Sequence, residues 1–129
     1  MTYKNFIDNE WQDAISGKKF GVFNPFTEEQ IAEVPASDEN DIDVAVKAAK
    51  VAFEKWSGLT AGERRDHLRS LANNSRDHAE SLARTISTEM GKPFKDAMTE
   101  IDDLADYLEY YSELARDQVG RIVAPVDNN

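Results

Sequence analysis

Lys92 stands between Gly91 and Pro93 in the stretch EMGKPFKDA, and glycine followed by lysine is the heart of many phosphate-cradling loops. Such a loop needs a glycine-rich turn after a strand and a Lys-Ser/Thr pair entering a helix, so that backbone N–H groups and a hydroxyl meet the phosphates. Here the glycine follows a helical pattern, no second glycine is near, and proline stands where the hydroxyl should be. The stretch therefore reads as a junction between two helices. Gly91 suits the left-handed residue closing one helix, and Pro93 suits the first position of the next. Lys92 is expected to be exposed or to pair locally.

The other residues with chemical potential are equally plain. His67 and His78 are eleven apart, about three helical turns, which puts them on one face but ~16 Å apart at 1.5 Å per residue. They cannot chelate one metal. Between Asp96 and Asp117 the sequence carries eight carboxylates, Glu100 among them, without the spacing or internal glycine of a calcium loop. They read as a solvated helix face. Tyr107 and Tyr110 are expected on a protein–protein face and Tyr111 in a buried seam. No G-x-S-x-G, H-E-x-x-H or G-x-G-x-x-G occurs. The sequence has no cysteine, which removes disulfides, thiolate metal sites and a cysteine nucleophile from these residues.

What would position such groups is one small α+β domain of 129 residues. A net charge of −10 argues against nucleic acid and against an anionic membrane surface, both of which are bound through Lys and Arg. No apolar run approaches the ~20 residues of a bilayer span, and the first residues lack a secretory pattern. A cytoplasmic location is the resulting expectation.

Residues 1–36 read as short strands. Apolar residues flank Asp8-Asn9, a pair suited to a tight hairpin; KKFGVF and IAEVP follow, separated by the turn chemistry of Asn24-Pro25. Residues 37–120 read as three amphipathic helices, about 38–56, 61–90 and 93–119. Ser37 or Asp38 caps the first, whose stripe is Ile42, Ala45, Ala49, Ala52, Phe53 and Trp56. Thr60-Ala-Gly-Glu63 is a capping box for the second. Its central NNSR is weak in helix propensity, so two shorter helices remain an alternative there. The third repeats Phe94, Ala97, Ile101, Leu104, Leu108, Tyr111 and Ala115 at alternating spacings of three and four, the pattern of a packing seam. Residues 121–129 open an extended segment, RIVAPV.

The pieces FIDNEWQDAISGKKFGVFNPFTEEQIAEVP, DIDVAVKAAKVAFEKW, ERRDHLRSLANN, TEMGKPFKDAMTEIDDLADYLEYYSELA and GRIVAP, in this order, resemble the N-terminal part of the aldehyde dehydrogenase family. The resemblance spans nearly all of residues 5–125. It implies oxidation of an aldehyde to a carboxylic acid with NAD or NADP. In that chemistry a cysteine attacks the carbonyl, hydride passes to the nicotinamide, and water activated by a glutamate releases the acid. Those groups and the cofactor loop lie, in the family, beyond this stretch, so no catalytic or cofactor-binding residue carries over and the segment alone is expected to be inactive. The resemblance further implies that these elements open the cofactor-binding domain. Their expected partners are the remainder of the fold and other copies in a homo-oligomer. It also implies a monovalent cation near the carbonyls of Val22 and Phe23 and the side chain of Glu100, where oxygen-only ligands suit a hard ion. An ordinary surface carboxylate is the other reading of Glu100. A different class of function stands beside this one: a stand-alone helical interaction module that has kept part of the fold.

Overall fold

The computed structural model describes residues 1–114. In chain order the elements are β1 (Asn5–Ile7), β2 (Glu10–Gln12), β3 (Lys19–Phe23), β4 (Gln30–Pro35), α1 (Glu39–Gly58), α2 (Ala61–Asp77), α3 (Ala79–Met90) and α4 (Phe94–Leu114). The strands form two antiparallel pairs, β1–β2 and β3–β4, so the fold is α+β as the sequence indicated. Asp8 and Asn9 both take positive φ, 53° and 62°, the handedness that lets a two-residue turn match the twist of its strands. The β3–β4 ladder runs from Lys19↔Pro35 to Phe23↔Gln30, with its register shifting between Val22 and Phe23. Its turn is held by the Asn24 carboxamide oxygen, which accepts the N–H of Phe26 at 2.8 Å. On the far edge of β4, Glu33 donates its N–H to the Met1 carbonyl and accepts that of Tyr3, each at 2.9 Å.

The helix starts follow from their caps. Asp38 accepts the Asn40 N–H at 2.9 Å while the side chain of Asp41 accepts the N–H of Asp38, also at 2.9 Å. At α2, Thr60 and Glu63 close the same reciprocal arrangement. Gly91 ends α3 at φ 71°, donating its N–H to the Ser87 carbonyl at 3.0 Å. Pro93 sits one residue before α4, and its carbonyl accepts the N–H groups of Asp96 and Ala97.

Two expectations need correction. The span 61–90 is two helices, giving four in place of three, and the break lies at His78, not within NNSR. Residues 73–76 stay helical with Arg76 anchored to carboxylates of α4 and Ser75 buried against it. His78 leaves helical geometry at φ −106°, ψ 11°, and no side chain caps the restart. Both halves can then pack on the single long α4.

The second correction is the buried row of α4. Ala97, Ile101, Ala105 and Ser112 are buried, with Leu108 half-buried, whereas Leu104 is 44% and Tyr111 58% exposed. The facing helices contribute Ala72, Ser75 and Ala83. Small side chains on both sides allow close approach of the helices, while Leu104 and Tyr111 stand on the flanks. The stripe read for α1 is also mostly uncovered: only Ala45 of its six members is half-buried. That helix meets the β1–β2 hairpin, and Trp56 lies 5.7 Å from the ring of His67. The extended RIVAPV, Ala115 and the end expected for the third helix lie outside the described residues.

Candidate functional site

The junction around Lys92 is built as read from the sequence: one helix closed by a left-handed glycine, the next opened by proline. Its surroundings were not legible. A Cβ on Gly91 would come within 3.0 Å of Pro25 Cγ, so the junction lies directly against the β3–β4 turn. Ser87 donates its hydroxyl to the Lys92 carbonyl at 2.7 Å, fixing the backbone between the two helices. The Lys92 ammonium is paired with the Glu100 carboxylate, two turns into α4. Val22 and Phe23 sit on β3 at its register shift, opposite Ala32 and Gln30. One oxygen of the Glu100 carboxylate faces the Lys92 ammonium. Among the described residues no group of three or more Asp, Glu or His side chains is placed to hold a metal.

A second polar cluster lies between α2 and α4. Arg76 meets Asp106 at 2.9 Å and also pairs with Glu109, and Arg69 pairs with Glu113. The Arg76 guanidinium holds Glu109 below the ordinary glutamate range, and the two carboxylates raise Arg76 in turn. Around these pairs is an open groove of about 630 Å³ lined by Arg69, Asn73, Asp106, Glu109, Tyr110 and Glu113. Two guanidiniums of α2 meet three carboxylates of α4 there, so the pairs join the two helices. The sequence reading saw the carboxylates but missed their partners. The available signal was Arg69 and Arg76 seven residues apart, on one face of α2.

Tyr107 and Tyr110 are exposed, and the rings of Tyr110 and Tyr111 meet edge-on with centroids 5.4 Å apart. His67 and His78 stand apart, one against Trp56 and the other at the α2–α3 break. None of these arrangements combines a nucleophile with a base, or donors with a shared focus.

Residues 11–129 match the model of the Aldehyde dehydrogenase family. The chain belongs to that family. Among curated relatives, a chloroplastic aminoaldehyde dehydrogenase of Arabidopsis thaliana is 35% identical over 97% of this chain and 26% of its own length. Among solved structures, 3,6-anhydro-L-galactose dehydrogenase in complex with NAP superposes with a TM-score of 0.90 at 30% identity, covering 100% of this chain and 27% of that one. A betaine aldehyde dehydrogenase double mutant of Staphylococcus aureus in complex with NAD⁺ gives 0.88 at 30% identity, covering 97% and 26%. This aldehyde dehydrogenase chain therefore spans about a quarter of the length of the relatives it matches. The resemblance read from the word order of the sequence is the relationship found.

Proposed function

We propose that these residues form the N-terminal scaffold of an NAD(P)-dependent aldehyde dehydrogenase, contributing packing surface and no catalytic group to the oxidation of an aldehyde. The observation that supports this most is the superposition over the whole chain at a TM-score of 0.90 on about a quarter of a longer dehydrogenase. The exposed face of α1 agrees with it. Ile42, Val46 and Phe53, which share one side of the helix, are each at least 45% exposed, more apolar surface than an element with no further neighbour would show. In this reading the remainder of the dehydrogenase fold covers that face, and the cysteine-free sequence leaves the nucleophile to that remainder.

The cofactor, NAD or NADP, binds the whole enzyme and not this segment alone. A homo-oligomer in the cytoplasm completes the reading; no described helix is long and apolar enough to cross a membrane. The experiment is direct: the purified 129-residue chain is assayed for aldehyde-dependent reduction of NAD⁺ and NADP⁺. No turnover and no cofactor binding by fluorescence titration are expected, and turnover above background overturns the proposal.

The same exposed face would serve a stand-alone interaction module. Mixing the chain with the remaining three quarters of a related dehydrogenase separates the two. Recovery of activity supports the scaffold, and capture by an unrelated protein with no such recovery supports the module.

A further inference from the structure

We draw no further inference here: the strongest candidate, the open pocket on the outer face of α4 lined by Asp103, Asp106, Tyr107 and Tyr110, sets carboxylates beside exposed tyrosines on a single helix face, and nothing in the structure shows what covers it.

Discussion

Asp41 accepts the backbone N–H of Ile15 at 2.8 Å, across twenty-six residues of chain. The other oxygen of the same carboxylate accepts the N–H of Asp38, so one buried side chain both caps α1 and ties it to the loop after β2. At 5% exposure it is the one buried charged residue among those described, and both of its oxygens are satisfied. Asp41→Ala leaves two N–H groups without partners and opens the helix start. The expected loss is about 2–4 kcal/mol, from one or two unsatisfied donors plus a lost cap. Urea unfolding followed by far-UV circular dichroism measures it. A loss below 0.5 kcal/mol, on the order of an ordinary surface change, would mean that α1 is positioned by something else.

The Arg76 cluster makes stability depend on acid. Glu109 has its folded pKa lowered, chiefly by hydrogen bonding from Arg76. Asp13 is lowered in the same direction by Lys19 and Lys4, with nitrogens 3.2 and 3.4 Å away. A carboxylate depressed on folding contributes stability above its unfolded pKa and loses it as pH falls through the folded value. The chain should therefore hold its stability from neutrality down to the ordinary carboxylate range and lose it below. Arg76→Met should flatten that acid limb while changing little of its shape above pH 6. Melting temperature against pH, parent beside variant, reads this out, and parallel curves would show that the pair carries no linkage.

Legibility in the sequence followed the kind of signal. Hairpin and caps were plain, because Asp8-Asn9, Asp38 and Thr60-x-x-Glu63 each act within a few residues of backbone. The buried side of α4 was misjudged because apolar periodicity gives weight to Leu104 and Tyr111, while a close helix contact selects Ala105 and Ser112 for being small. The break at His78 had no local signal, since the weaker formers Asn73 and Asn74 are kept helical by contacts of their neighbours with α4. At the junction, backbone chemistry announced Gly91 and Pro93. The partner of Lys92 depends on how α4 leaves the junction, and nothing within the stretch itself names Glu100.

The corrected row on α4 can be tested by opposite substitutions. Ala105 is fully buried in the row that α2 and α3 pack against, so Ala105→Leu inserts three carbons where there is no space. A loss of about 1–3 kcal/mol or more is expected from overpacking. Tyr111→Ala removes a far larger side chain from a flank that is mostly solvent and should cost under about 1 kcal/mol. Denaturant midpoints of the two variants order them. If Tyr111→Ala proves the more damaging, the seam read from apolar spacing is the right one after all.

Phe53 carries the claim that α1 awaits a larger neighbour. The side chain is 64% exposed in the C-terminal half of a 20-residue helix. Within this chain alone, Phe53→Ser removes little packing, and the expected change in unfolding free energy is within about 0.5 kcal/mol. What should change is association. Exposed apolar patches of this kind favour contact between copies, so the parent chain should scatter light as more than a monomer at tens of micromolar, and the variant less so. In a complete dehydrogenase the same substitution would leave a cavity under the covering elements and cost several-fold more, about 3 kcal/mol. The contrast between the two contexts is the measurement. Equal losses in both would mean that this face is never covered, and the scaffold reading would lose its physical basis.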